Sequence, residues 1–193
     1  MKTSAKWVLG ASAVFLAGMA AVWTFKQNSS ATAKTTPATN RVREAASVTA
    51  APQTGHKMPP FTLPAYPDHK TISTDSLAGK PIFINFWTSW CDYCKQEMPD
   101  LVKAYQKFGD KVEFLSINGT SMDSVADVKR FVQDYGIVWP VALDTKGIVM
   151  NEYHILGFPT SFFVNRQGII VGVNQGMVSK DQLMTELERI AAS

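Results

Sequence analysis

Two cysteines, Cys91 and Cys94, have the type and spacing that most clearly indicate chemistry. They are the only cysteines in the chain of 193 residues, which excludes a scaffold of many disulfides and a four-cysteine zinc site. Both lie within residues 87–94, where a predicted strand turns into a predicted helix. Two thiols at this spacing in the first turn of a helix are close enough to form a small disulfide ring.

The positions of the two thiols predict different roles for them. Cys91 lies at the helix N-terminus, where unpaired backbone N–H groups and the helix dipole favour a thiolate. Thiolate is the attacking species in disulfide exchange, so Cys91 is the predicted nucleophile. Cys94 lies one turn further, is expected to be less exposed, and is the predicted resolving thiol. A pair of this kind cycles between dithiol and disulfide, and it needs no dissociable cofactor.

Three other interpretations of the cysteine pair remain open. A static structural disulfide is possible, although so short a loop adds little stability. The pair is also compatible with half of a metal site completed by His69 or His154, but nothing in the sequence places either histidine nearby. Two plain buried thiols are the third alternative, and the polar or amphipathic residues between the cysteines argue against it.

The elements that must position the thiols are a strand before them and a helix that carries them. Residues 82–87 form an apolar run rich in β-branched and aromatic residues, which predicts a buried strand. Residues 91–108 have helical apolar spacing, and Pro99 is expected to kink that helix. The remaining predictions are strands at 112–117 and 141–143, helical segments at 124–135, 148–153 and 179–192, and a hairpin of strands 161–164 and 169–173. This order predicts an α/β fold in which helices cover both faces of a mixed sheet.

The first 57 residues differ from the rest in charge and hydropathy. Residues 7–25 contain no charged residue and would span about 28 Å as a helix, close to the hydrocarbon thickness of a bilayer. We therefore expect residues 1–26 to form an N-terminal transmembrane anchor. The alternative is a signal peptide cleaved after the small residues 31–33. Residues 27–57, rich in Ala, Thr, Ser, Asn and Pro, are predicted to be a flexible linker.

The distribution of charge bears on partners and location. Residues 1–57 contain seven lysines and arginines against one acidic residue, whereas residues 58–193 contain twelve basic and fifteen acidic residues. A nucleic-acid-binding domain would carry its positive charge on the fold, so the charge balance argues against that function. The short charged segment before the apolar stretch is expected to remain in the cytoplasm, which places the domain outside it.

Two motifs within residues 58–193 resemble the thioredoxin fold. Trp90-Cys91-x-x-Cys94 follows an apolar strand, and Pro99 lies five residues past the second cysteine, as in the active site of that fold. Residues 157–160, Gly-Phe-Pro-Thr, are similar to its cis-proline loop. The resemblance implies a thioredoxin-like mixed β-sheet flanked by helices. It also implies that Trp90, Phe158 and a cis-Pro159 form the substrate-binding platform.

The anchor, the linker and the sequence of residues 91–99 further resemble the ResA/TlpA-like proteins. Those proteins are extracytoplasmic thiol-disulfide oxidoreductases, and many of them reduce the cysteines of apocytochrome c before haem attachment. The resemblance implies a disulfide-containing protein substrate and a membrane electron donor of the CcdA/DsbD type. It also assigns Glu97 a proton-transfer role beside the thiols. The alternative for Glu97 is a solvated helix residue paired with Lys95 or Lys103.

Departures from the thioredoxin pattern affect the expected redox direction. Asp92-Tyr93 replaces the Gly-Pro between the cysteines of thioredoxin. The added negative charge is expected to disfavour the thiolate and to make the site more reducing. The central strand contains Asn85 but no acidic residue, so the buried aspartate of thioredoxin has no counterpart there.

Two other functions fit part of the pattern. Thr88-x-x-Cys91 matches part of a peroxiredoxin motif, but Ile84 stands where that motif has a proline, and the second cysteine is too close for the usual resolving role. A non-enzymatic Sco-like copper chaperone would use a CxxxC spacing with a distant histidine. We retain both as alternatives to a protein disulfide reductant.

Overall fold

A computed structural model of the protein describes residues 49–68 and 70–193. The predicted anchor, residues 27–48 of the predicted linker and His69 lie outside this part. Among the residues described, no helix is long and apolar enough to cross a membrane.

Within residues 49–68 and 70–193, the fold consists of seven strands and four α-helices. The strands are β1 Thr62–Tyr66, β2 Thr71–Ser73, β3 Ile82–Trp87, β4 Glu113–Asn118, β5 Val141–Leu143, β6 Thr160–Val164 and β7 Ile170–Gln175. The helices are α1 Asp92–Phe108, α2 Val125–Tyr135, α3 Ile148–Glu152 and α4 Lys180–Ala191. All elements predicted from residue 82 onward are confirmed within about two residues, and α1 continues through Pro99 as one helix.

The strands form one mixed sheet in the order β2-β1-β5-β4-β3-β6-β7. The interior strand β3 pairs in parallel with β4 and antiparallel with β6, and β4 pairs in parallel with β5. The hairpin partner β7 and the N-terminal strands β1 and β2 complete the two sides with antiparallel pairs. Because β3 has a neighbour on each side, its C-terminal end and the helix that follows it lie inside the sheet edge and not at a corner.

Alternation along β3 divides the core between the two faces of the sheet. Phe83 and Trp87 belong to a cluster with buried residues of α1, α2 and α4. Ile84 and Phe86 belong to a second cluster with α3 and the segment before β1. Helices therefore cover both faces, as predicted. Asn85 has the same alternation as Phe83 and Trp87, so the strand directs this polar side chain towards α1.

The sequence analysis missed β1 and β2. Both strands are short, and β1 contains Pro64, a residue that is uncommon inside strands. The signal that was available is the alternation of buried Leu63 and Ala65 with exposed neighbours. Pairing with β5 places this short strand inside the sheet.

The last residues of the predicted linker bond to the β7 side of the sheet. The Gly55 N–H donates to the Ile170 carbonyl at 2.8 Å, and the Ile170 N–H donates to the His56 carbonyl at 2.9 Å. Lys57 also forms a β-bridge with Ile169. Residues 49–57 are thus part of the fold, which extends ahead of the predicted boundary at residue 58.

Candidate active site

The two cysteines lie where the sequence places them, at the first turn of α1. Cys91 is the N-cap residue, and its Sγ accepts a hydrogen bond from the Cys94 N–H at 3.1 Å. The two residues form a disulfide with a Cα–Cα distance of 5.2 Å. Cys91 is 6% exposed and Cys94 is 1% exposed, so the predicted order of accessibility is confirmed.

The loop before β6 provides the other half of the site. The Phe158–Pro159 bond is cis, as the resemblance implied. The Thr160 hydroxyl donates to the Gly157 carbonyl at 2.8 Å and closes the turn. The Phe158 ring is half-buried, contacts both core clusters and meets the Trp90 ring edge to face at 6.0 Å. Phe158 therefore both packs on the core and presents an edge at the site.

Trp87 and Trp90 lie in different environments although they are only three residues apart. Trp87 is fully buried, whereas Trp90 is 55% exposed. The Trp90 indole N–H donates to the Met122 carbonyl at 3.0 Å, which fixes the ring beside Cys91.

An open groove of about 940 Å³ runs past Cys91. Most of the residues that line it are apolar, and several are strongly exposed. The members that shape its rim are Trp90, Tyr93, Met122, Leu156 and Phe158. Tyr93 is 62% exposed and Leu156 is 90% exposed. Tyr93, Met122 and Leu156 were not predicted as groove residues, because a single exposed apolar residue has no periodic pattern that marks it.

His154 lines the same groove as Cys91. Its backbone has φ of +51°, an uncommon conformation for a residue with a side chain. Among the described residues no group of three His, Cys, Asp or Glu side chains is arranged to hold a metal ion. The structure therefore places His154 at the groove beside Cys91, whereas His69, the other histidine considered from the sequence, lies outside the described residues.

Glu97 is buried beneath the cysteines, one turn further along α1, and is only 2% exposed. One carboxylate oxygen accepts from the Val178 N–H at 2.8 Å, and the other accepts from the Asn85 amide at 3.2 Å. Burial raises the pKa of Glu97 to about 7, although the hydrogen bonds from Val178 and Asn85 partly oppose this. The solvated alternative for Glu97 is wrong.

The lysines proposed to pair with Glu97 have other partners. Lys95 pairs with Asp92 at 2.9 Å, and Lys103 pairs with Asp100 at 3.6 Å. Lys95 offsets the charge of Asp92, and the Asp92 side chain is 84% exposed. The effect of Asp92 on the Cys91 thiolate is therefore smaller than the sequence analysis predicted.

Asn85 also belongs to the site. The sequence analysis mentioned it only because β3 contains this residue and no acidic one. Its amide donates to Glu97 and also to the Ser161 hydroxyl at 3.1 Å, across the β3–β6 pair. The side-chain carbonyl oxygen of Asn85 is buried and has no hydrogen-bond partner. A polar residue inside an otherwise apolar strand was the available signal. Asn85 links the carboxyl of α1 to the strand that follows the cis-proline loop.

Comparisons with known proteins agree with this geometry. The AhpC/TSA family model matches residues 54–173, which include the cysteine pair and Pro159. The "Thioredoxin-like protein YneN" of Bacillus subtilis is 31% identical over 137 residues, which cover 70% of this chain and 79% of that protein. The "Thiol-disulfide oxidoreductase ResA" of Bacillus thuringiensis (strain Al Hakam) is 34% identical over 139 residues, covering 72% and 79%.

Solved structures give the same result. The crystal structure of StoA from Bacillus subtilis superposes with a TM-score of 0.58 at 31% identity, covering 66% of this chain and 96% of that one. The superposition supports a thioredoxin-like sheet for this chain, whose own cysteine pair lies at the start of α1. The chain therefore belongs to the AhpC/TSA family and is a ResA-like thiol-disulfide oxidoreductase with a thioredoxin-like fold.

Proposed function

We propose that this oxidoreductase is a membrane-anchored, extracytoplasmic reductant of protein disulfides, with apocytochrome c as the candidate substrate. The observation that carries the reducing direction is Glu97, a buried carboxyl one turn from Cys94 with a pKa of about 7. When ionised, it opposes thiolate formation at the adjacent cysteines, and a strong oxidant needs the opposite.

The reaction proceeds by two exchanges at sulfur. The Cys91 thiolate attacks one sulfur of the substrate disulfide, which forms a mixed disulfide and releases the other substrate sulfur as a thiolate. The Cys94 thiol loses its proton and attacks the Cys91 sulfur, which releases the second substrate thiol and leaves the Cys91–Cys94 disulfide. The substrate gains two electrons and two protons, and the cysteine pair loses them.

Each supporting residue has a place in these steps. The groove beside Cys91 admits an extended segment of the substrate, and the cis-Pro159 loop offers backbone groups for pairing with it. Glu97 accepts the proton that the Cys94 thiol loses before it attacks Cys91. No dissociable cofactor takes part, because the electrons move between sulfur atoms.

The oxidised pair must be reduced again after each turnover. Outside the cytoplasm this requires a membrane thiol carrier, and we assign the role to a protein of the CcdA/DsbD type. The proposal of an extracytoplasmic location is supported by the apolar stretch at residues 7–25 and by the lysines before it.

The reduction potential of the full chain in detergent tests the direction. The protein is equilibrated in thiol-disulfide buffers, and the reduced fraction is read from the gel shift of a maleimide adduct. We expect a value near that of thioredoxin, about −270 mV, whereas a value near that of DsbA, about −120 mV, would contradict a reducing role.

A trapping experiment tests the substrate and the location. Cys94→Ser retains the mixed disulfide on Cys91, and apocytochrome c should be recovered with it from intact cells. An apocytochrome c variant without its two haem-binding cysteines is the control. Digestion of the domain by protease added to spheroplasts tests its side of the membrane, and resistance in intact spheroplasts would contradict the proposal.

The two alternatives have direct assays. A peroxidase of the peroxiredoxin type would consume peroxide with Cys91 as the attacking thiol. A copper chaperone would bind Cu(I) with stoichiometric affinity in a titration of the reduced chain. We expect neither result, because Cys94 lies within disulfide distance of Cys91 and completes an exchange centre.

A further inference from the structure

Asp123 receives four hydrogen bonds at its carboxylate. One oxygen accepts from the Ser89 hydroxyl at 2.7 Å and the Ser124 N–H at 2.8 Å. The other oxygen accepts from the Ser89 N–H at 2.6 Å and the Asn118 amide at 2.9 Å. Asp123 is partly buried, and each of its oxygens has two donors.

The donors belong to three separate elements that meet at the site. Ser89 lies in the short connection between β3 and α1, two residues before Cys91. Asn118 is the last residue of β4, and Ser124 is the N-cap residue of α2. The residue before Asp123, Met122, accepts the Trp90 indole N–H through its carbonyl. Asp123 and Met122 together hold both residues that immediately precede the nucleophile.

The connection 88–91 depends on these contacts because it has little regular structure of its own. Its only internal backbone bond of note joins the Cys91 N–H to the Thr88 carbonyl at 3.3 Å. Hydrogen bonds to a carboxylate are stronger than neutral ones. The bonds to Asp123 therefore contribute most of the hydrogen bonding that fixes Ser89.

We propose that Asp123 is a positioning residue for Cys91: it fixes the 88–90 loop so that the nucleophile stays at the N-terminus of α1 and Trp90 stays beside the groove. Asp123 acts through Ser89 and does not touch the reacting sulfur. The inference depends on the thiol-disulfide exchange activity itself and is independent of the direction of electron flow or the identity of the substrate.

The first test compares exchange rates of Asp123→Ala and Asp127→Ala in the full chain. Asp127 is a matched control, because it accepts from the Ser124 hydroxyl at 2.6 Å and pairs with Arg130 without contacting Ser89. A misplacement of about 1 Å costs up to about a hundredfold in rate, so we expect a ten- to hundredfold fall for Asp123→Ala. Asp127→Ala should change the rate less than about twofold. Equal rates for the two variants, at temperatures where both are folded, would overturn the proposal.

A pH profile separates positioning from a general loss of structure and from a charge effect. Alkylation of Cys91 is followed against pH in a Cys94→Ser background, with and without Asp123→Asn. Removal of the nearby negative charge alone would lower the pKa of Cys91, whereas a loosened helix N-terminus would raise it. The other groups at the site, Asp92, Glu97 and His154, are the same in both proteins. We expect the midpoint to rise, and a midpoint that falls or stays fixed overturns the positioning role.

A double-mutant cycle keeps the proposal testable if Asp123→Ala does not fold. Ser89→Ala removes the hydroxyl bond to Asp123 and leaves the charge in place. We expect it to slow exchange about threefold in the parent and to have no further effect in Asp123→Asn, because the Ser89 hydroxyl acts through its bond to the Asp123 carboxylate. Effects that multiply in the double variant would show that Ser89 and Asp123 act independently and would reject the proposal.

Discussion

Asp92 and Glu97 are two carboxyl groups on the same helix, and their surroundings are opposite. Asp92 lies on the outward side of the first turn, with its side chain 84% exposed and paired with Lys95. Glu97 lies on the inward side, is 2% exposed and is held by Asn85 and the Val178 N–H. Burial raises the pKa of Glu97 to about 7.

The difference shows that burial, and not distance along the sequence, decides which carboxyl can exchange a proton near neutral pH. The Asp92 side chain faces water and pairs with Lys95, and exposed pairs of this kind contribute little to stability. Desolvation disfavours the charge on Glu97, so it takes up and releases a proton in the range where thiols react. Two carboxyl groups on one helix therefore differ because the outward side of α1 faces water and the inward side faces the core.

The largest effect expected from this contrast is on stability against pH. The pKa of Glu97 is about 7 in the folded protein and 4.5 in the unfolded chain. The neutral carboxyl group therefore stabilises the fold, and this contribution is complete below pH 4.5. That contribution is lost as the pH rises through 7, and it amounts to about 3 kcal/mol by linkage. Urea unfolding of the oxidised chain at pH 4, 6 and 8 measures it.

Glu97→Gln removes the titrating group and should remove this part of the pH dependence. The free energy of unfolding of the parent, relative to that of Glu97→Gln, should fall by about 3 kcal/mol between pH 4 and pH 8. Asp92→Asn is the control and should retain the slope of the parent. A parallel pH dependence for the parent and Glu97→Gln would show that Glu97 does not titrate as its burial implies.

The second effect is on the resolving step. Glu97→Gln should remove the transition near pH 7 from the rate at which Cys94 releases a trapped substrate, because the amide accepts no proton. The rate above pH 7 should fall at least about tenfold. Stopped-flow measurement of release from the mixed disulfide between pH 5 and 9 gives the profile. If Asp92→Asn lost the transition and Glu97→Gln kept it, the assignment of proton transfer to Glu97 would be wrong.

A smaller effect is expected from the exposed rim of the groove. Leu156→Ser removes an apolar side chain that is 90% exposed beside Cys91. We expect KM for a protein disulfide to rise about fivefold with kcat unchanged, which corresponds to about 1 kcal/mol of binding. Ile148→Ser is the matched control, since Ile148 is 60% exposed and does not line the groove beside Cys91. Equal changes in KM for the two variants would show that Leu156 does not contribute to substrate binding.

The smallest effect is expected from the surface ion pair. Asp92→Asn should change the free energy of unfolding by less than about 1 kcal/mol, because exposed pairs contribute little. The reduction potential should also move little, since Lys95 already offsets the charge. A large shift in the measured reduction potential would show that Asp92 makes the site more reducing, as the sequence analysis predicted.

Most of the fold after residue 82 was predictable because its signals are local. The apolar run of β3, the spacing of α1 and the turn of the β6–β7 hairpin each lie within one segment. The strands β1 and β2 were not predicted, because both are short and β1 is fixed in the sheet by pairing with the distant strand β5. The site followed the same division, since the cysteine pair, Trp90 and Phe158 were predicted and the other rim residues were not.

The sequence by itself determined the reacting pair, since two cysteines at this spacing after a buried strand have one chemical use that fits all of the pattern. It also determined the helix N-terminus that activates Cys91. Only the tertiary structure decided that Glu97 is buried against Asn85, that Asp123 holds Ser89, and that Leu156 faces the nucleophile across a groove. These contacts join residues far apart in the chain. Desolvation and hydrogen bonding depend on what surrounds a side chain, and the local sequence does not contain that information.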